Sequence, residues 1–243
     1  MQINAETLKH FYRSAQGQVV RAVLQSHITA LRDNPKGRRI LGCGYALPYL
    51  DDFERAERSI AAIPQEIGTQ YWPKDGKNKT CLYDHALPFE TNSIDCVLLI
   101  HGLEHSKNPQ GDLVEIYRVL KSTGRLIIVT PNRSGLWACF DSSPLGQGRP
   151  YSLAQLHKLL DDTKFIRAQS RKALFTPPLR GHWIEKISSL AEGAGRFLPL
   201  PAGVHIVEAS KQIYARPPPP RGAKAPAVSK PLIPKTAMPF EGE

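Results

Sequence analysis

The 243 residues, 41% of them hydrophobic, suffice for one domain with a substantial core and are too few for two domains plus a tail. No apolar run approaches the roughly 20 residues of a membrane span, and Met1 to Arg21 hold no continuous apolar stretch of the kind a leader needs. These features predict a soluble, cytoplasmic protein. The formal charge of +10 is spread thinly, with no aromatic residues interleaved as a base-stacking platform, so composition gives no clear nucleic-acid or membrane signal.

Taken in chain order, apolar residues at Leu8, Phe11, Tyr12, Val19, Val23, Leu24, Ile28 and Leu31 predict a helical stretch over 5–31, closed by Pro35-Lys36-Gly37. Arg38 to Cys43 reads as a short strand, Pro48 to Arg58 as a helix, and Ser59 to Ile63 and Thr80 to Tyr83 as further strands. Ile94 to Ile100 is a continuous aliphatic run, as expected of a strand buried on both faces. Asn108-Pro109 opens a helix through Leu120, Ser122-Thr123-Gly124 turns the chain, and Arg125 to Thr130 is a second buried strand stopped by Pro131. Tyr151 to Asp161 and Trp183 to Leu190 have helical spacing, and 166–176 and 204–214 are strand-like. From Arg216 on, four consecutive prolines and a Pro/Lys/Ala-rich remainder predict a disordered tail. The domain plan is therefore an N-terminal helical segment (1–37) packed on the core, an α/β domain (38–215) and the tail (216–243). Strands alternating with helices predict a three-layer sandwich, with a mostly parallel seven-stranded sheet and helices on both faces.

The four cysteines, Cys43, Cys81, Cys96 and Cys139, form no C-x-x-C pair, and three lie in or beside apolar segments, which predicts reduced thiols. His101-Gly102-Leu103-Glu104-His105 has the H-x-x-E-H spacing of an inverted zinc-protease motif. Such a motif needs both histidines on one helix face, whereas this one sits in the turn between a strand end and a helix, with no obvious third ligand. No metal is expected. Open α/β sheets bind small ligands at such strand ends, and the turn "ILGCGYALPY" adds a second candidate position. There Gly42 and Gly44 allow close backbone approach, although Leu47 replaces the third glycine of a dinucleotide fingerprint.

Leu87-Pro88-Phe89, Ser93-Ile94-Asp95, the His101 to His105 loop, Glu115 with Arg118-Val119-Leu120, a glycine turn and Pro131-Asn132 follow one another in an order that resembles a class I S-adenosylmethionine-dependent methyltransferase of the type 11 group. With the glycine turn, the resemblance covers about residues 38–132. It implies a Rossmann-like fold, S-adenosylmethionine as cofactor and methyl transfer to a small-molecule acceptor. It also implies roles by position. Gly42 and Gly44, with Tyr45 between the loop's small residues, would line the methionine and ribose. Asp84 would accept from the adenine amino group, and Ile100 and His101 would sit beside the sulfonium. His101, whose side chain is an imidazole, is the candidate general base.

The chain departs from the family pattern where Ile40 replaces an acidic residue, and where Ile63-Pro64-Gln65-Glu66 offers only Gln65 or a displaced Glu66 for the ribose. Two lost carboxylate contacts would weaken cofactor binding by about 1.5 to 3 kcal/mol each. These departures support an alternative, a methyltransferase-like binding or regulatory protein with a degenerate cofactor site. Glu104 reads as a helix-start or surface acid, His105 as a support of the turn, Asp95 as a strand cap, Glu115 as a structural contact, and Arg118 as a stem covering the sheet. Arg133, Trp137, Phe140, Asp141, Arg149 and Tyr151, in the long loop after the second buried strand, are the candidates for acceptor selection. The segment around Trp183 completes a lid or forms a contact in a homo-oligomer.

Overall fold

The computed structural model describes residues 3–31, 34–68, 78–84, 86–140, 143–178, 192 and 201–211. The helix expected at Trp183 to Leu190, Asp141 and the tail from Arg216 on lie outside these residues. Seven strands run β1 (Arg39–Gly44), β2 (Arg58–Pro64), β3 (Asn78–Tyr83), β4 (Ile94–Ile100), β5 (Leu120–Pro131), β6 (Phe165–Ala173) and β7 (Val204–Lys211). They form one sheet in the order β3-β2-β1-β4-β5-β7-β6, parallel except for β7, which runs antiparallel to both of its neighbours.

The helices are α1 (Ala5–Arg13), α2 (Ala15–Leu31), α3 (Leu47–Leu50), α4 (Pro109–Val119) and α5 (Leu153–Asp162). Alternation along each strand sends residues to opposite faces. Ile40, Leu98, Ile100, Ile127 and Ile206 join α1, α2 and α3 in one apolar core. Leu41, Val97, Leu99, Ile128 and Val207 join α4 and α5 in the other. The three-layer expectation therefore holds. Among the described residues no helix is long and apolar enough to cross a membrane.

The single N-terminal helix expected over 5–31 is two helices. The Ser14 hydroxyl donates to Phe11 O at 2.6 Å and accepts from Gly17 N at 3.1 Å, so it closes α1 and caps α2. At Gly17 a side-chain carbon would lie 2.0 Å from Phe11 O, so the two helices meet more closely than any larger residue allows. The helix expected from Pro48 to Arg58 shrinks to four residues and a 3-10 turn (Asp51–Phe53), because Arg58 already pairs with Arg39 at the start of β2. β5 begins five residues before its expected start, since Leu120 pairs with Ile94 ahead of a register shift to Cys96 and Arg125. Asp95 accepts from Arg39 N and from Lys121, which ties the entries of β1, β4 and β5 together.

Glu115 is the structural contact expected of it, but the Arg118 head group does more than its stem. Glu115 accepts from Leu87 N and from Arg118, whose guanidinium also donates to the carbonyls of Leu87 (2.9 Å) and Phe89 (2.8 Å). The turn leading into β4 is thereby clamped to α4. Cys43 and Cys96 are buried and Cys139 is exposed, and all four thiols are free.

One buried group makes the sheet acid-sensitive. His205 on β7 is 3% exposed, and neither ring nitrogen has a partner. Burial, with Lys172 and His157 nearby, lowers its pKa from 6.5 to about 4. The fold favours the neutral ring, so this contribution to stability is complete above the unfolded-state value and is lost as pH falls from about 6.5 toward about 4. Urea midpoints across that window should fall more steeply for the native protein than for His205→Leu; parallel slopes would show that the ring takes no part.

Candidate functional site

The order of strands reverses at β1 and β4, which opens a crevice at their carboxyl ends. Gly44 ends β1 with φ +75°, and a side-chain carbon there would lie 2.3 Å from Ile100 O. Tyr45 N donates to that same oxygen at 2.7 Å, so the end of β1 is bonded to the end of β4. Gly42 serves a different surface. A side chain on it would meet Ala46 Cβ and Leu50 Cδ1 at 2.8 Å, so its smallness seats α3 on the sheet.

His101 follows β4 with φ +50°, a conformation uncommon outside glycine. It is 1% exposed, and both ring nitrogens are engaged. Nδ1 lies 3.2 Å from Glu104 Oε1, and Nε2 lies 2.8 Å from the hydroxyl of Tyr12, which is 3.0 Å from the Tyr49 hydroxyl. A carboxylate only accepts, so Nδ1 carries the proton, Nε2 accepts from Tyr12, and Tyr49 donates to Tyr12. Burial raises the pKa of both tyrosines, which keeps them protonated as donors. The Tyr12 ring stacks on Tyr45 and meets Tyr49 and His101 edge-on. α1 thus covers the β1–β4 crevice with an aromatic cluster.

Beside this cluster is a cavity of about 290 Å³ at the ends of β2, β3 and β4. Gln65, Glu66, Asp84, Gly102, Glu104 and His105 are among its lining residues. Glu104, expected as a surface or helix-start acid, is 2% exposed. Its Oε2 and His105 Nε2 are buried with no partner. The turn is held from outside as well, since Arg149 N donates to Glu104 O at 2.7 Å and Gly148, at φ +83°, leaves no room for a side chain beside that carbonyl. Glu66 pairs with Lys107 across the rim, and Asp84 stands immediately after β3.

Of the expected site residues, Asp84 lines the cavity, whereas Gly42, Gly44, Tyr45, Ile100 and His101 are not among its lining residues. Ligand atoms of His101, Glu104 and His105 do come within 4.8 Å of one another, the convergence that the H-x-x-E-H spacing suggested. The His101 nitrogens are nonetheless spent on Tyr12 and Glu104. Sequence reasoning missed Tyr12, Tyr49 and the burial of Glu104. Tyr12 sits on the same apolar stripe as Leu8 and Phe11, where an aromatic reads as core.

Residues 41–128 match a family model described as a methyltransferase domain. Over these residues the chain is similar to methyltransferase domains. Similarity to curated relatives is local. A 37.1 kDa protein in a Streptomyces fradiae transposon is 27% identical over 141 residues, 58% of this chain and 36% of the relative. The ubiquinone/menaquinone biosynthesis C-methyltransferase UbiE of Blochmanniella pennsylvanica is 41% identical over 59 residues, 23% of each chain. The chain therefore spans about a quarter to a third of the length of these relatives. Among solved structures, a chain in the complex between the Haloferax volcanii Trm112 methyltransferase activator and a methyltransferase superposes with TM-score 0.60 at 15% identity, over 85% of this chain and 96% of that one. At that identity the likeness concerns the fold of the methyltransferase domain.

The buried Tyr12–His101 bond gives a direct test of the aromatic cover. Tyr12→Phe leaves a buried ring nitrogen without its donor and should cost about 1 to 3 kcal/mol in urea unfolding. A double-mutant cycle with His101→Gln should show a coupling of about 1 kcal/mol. Strictly additive losses would show that the two side chains do not act on each other.

Proposed function

We propose that the protein transfers a methyl group from S-adenosylmethionine to a small-molecule acceptor. The observation that carries this reading is the cavity at the ends of β2, β3 and β4, which gathers Glu66, Asp84 and the unpartnered oxygen of Glu104. Carboxylates at successive strand ends suit the donors of an adenosyl group. Glu66, or Gln65 beside it, would accept from the ribose hydroxyls, and Asp84 from the adenine amino group. An acidic wall also suits a cation, and Glu104, whose Oε2 is buried without a partner, is among the residues that line it. When bound, the cofactor supplies an electrophilic methyl on its sulfonium.

In this reading Glu104 takes the place that the sequence assigned to His101. Tyr12 occupies His101 Nε2, and Nδ1 is turned to Glu104, so the imidazole holds the carboxylate in position and has no free nitrogen to offer an acceptor. Gly44 permits the β1 turn to approach β4, and α1 excludes water from the crevice behind the cavity. Positioning supplies much of the rate in such transfers.

A second reading, a methyltransferase-like binding or regulatory protein, is favoured by the apolar burial of Ile40 and by Tyr45 and His101, each at most 2% exposed. Isothermal titration with S-adenosylmethionine and S-adenosylhomocysteine separates the two. Methyl transfer predicts binding of both, weakened about tenfold or more by Asp84→Ala and by Glu66→Ala. It also predicts that Glu104→Gln lowers turnover of labelled methyl far more than it lowers S-adenosylhomocysteine affinity. Absence of binding at millimolar ligand would end the methyl-transfer reading and favour the second, as would binding without turnover across an acceptor panel.

A further inference from the structure

The segment from Pro131 to Tyr151 leaves the sheet and returns to it, and its backbone is pinned at both ends. Arg133 N donates to Tyr151 O at 3.0 Å, Tyr151 N to Pro131 O at 3.1 Å, and Asn132 Nδ2 to Ala202 O at 2.8 Å. At the other side of the loop Arg149 is anchored through its amide to Glu104 O. The two arginine side chains, by contrast, make no hydrogen bond or ion pair among the described residues. Both are exposed, so neither supports the fold.

They share a groove of about 680 Å³ with Pro109, Tyr151, Lys158 and Asp162, between the starts of α4 and α5. Gly148 and Arg149 line this groove and the cavity alike, so the two spaces adjoin along the loop. Lys158 lies 3.8 Å from Asp162, which is the only acid in the groove lining and is itself well exposed. The groove lining therefore has two guanidiniums that make no hydrogen bond or ion pair among the described residues, and Arg149 also borders the cavity lined by Glu104 and Asp112. A guanidinium is a rigid fork of donors matched to planar carboxylates and to phosphates, and it is weakly hydrated for a cation. The half-buried ring of Tyr151, whose hydroxyl is tied to Leu103 O at 3.4 Å, offers a flat apolar wall between them.

We infer that the groove is the acceptor subsite and that Arg133 and Arg149 hold the acceptor by an anionic group, a carboxylate or a phosphate, with its body against Tyr151 and its reacting end directed past Gly148 toward the cavity. This assignment rests on the methyl-transfer reading for its purpose, but not for its binding chemistry. The groove's volume suits a small molecule with one ring or a few carbons. A polyanion such as RNA would need a longer track of cations and stacking rings than this groove provides.

Thermal melts of the full chain, with and without S-adenosylhomocysteine, test the assignment with benzoate, phenyl phosphate and the neutral benzamide at matched ionic strength. Benzoate, phenyl phosphate or both should raise Tm while benzamide does not, and whichever responds identifies the anion. Arg133→Gln and Arg149→Gln should each weaken the responding anion by about tenfold or more without moving the unliganded Tm. A benzamide shift equal to that of the anions, an unchanged response in both variants, or no response to either anion would overturn the assignment. Binding of fluorescent oligouridylate that is lost in Arg133→Gln, without a response to the small anions, would overturn it in favour of nucleic acid. If the anions bind and S-adenosylhomocysteine does not, the cofactor reading fails while the groove assignment stands; the reverse pattern sinks the groove alone.

Discussion

Gly44 lies so close to β4 that a side-chain carbon on it would fall 2.3 Å from the carbonyl oxygen of Ile100, and the amide of Tyr45 bonds to that same oxygen. This approach happens where the strand order reverses, at the crevice between the carboxyl ends of the two central strands that α1 covers. With β1 and β4 bonded at their ends, the residues after β4 have one way out. His101 enters a left-handed conformation, Gly102 follows, and the chain folds Glu104 back beneath the turn. The cavity is displaced toward β2 and β3, where Glu66 and Asp84 stand.

The polar chemistry follows from that displacement. A glutamate at 2% exposure is costly unless its oxygens are satisfied. One oxygen is satisfied by His101, which is held by Tyr12, and Tyr12 by Tyr49. The other is buried without a partner, and Glu104 is among the residues that line the cavity. A buried polar chain that is complete at one end and open at the other is what a ligand-facing carboxylate requires, because the closed end prevents the group from rotating away to find a partner. The N-terminal helices are thus part of the site. α1 supplies both the aromatic cover and the hydroxyl that fixes the imidazole.

How much of this could be read from the chain depends on the range of the interaction. β4 and β5 were plain in the sequence because strands buried on both faces need unbroken aliphatic runs, as in Val97–Ile100 and Leu126–Val129. Breaks were harder. The apolar spacing of 5–31 continues across Ser14, and only the hydroxyl's double role and the tight contact at Gly17 divide it. The stripe after Pro48 promised a longer helix than the pairing of Arg58 with Arg39 permits. Asp84 was located by its place after a strand, which is a local property. Glu104 was misjudged, since a glutamate within a polar turn gives no sign of burial.

The sequence by itself determined the alternation of strands and helices, the glycine turn after β1 and the class of fold, because periodicity and turn chemistry act over a few residues. Tertiary structure decided which groups line the cavity. The bond from Tyr12 to His101 spans 89 positions, and it engages the histidine Nε2 while Glu104 Oε2 is left buried without a partner. The meeting of Arg133 and Arg149 in one groove likewise depends on backbone bonds to Tyr151 and Glu104 that no local pattern encodes. Side-chain availability is set by competition among partners distant in the chain, and that competition exists only once the chain has folded.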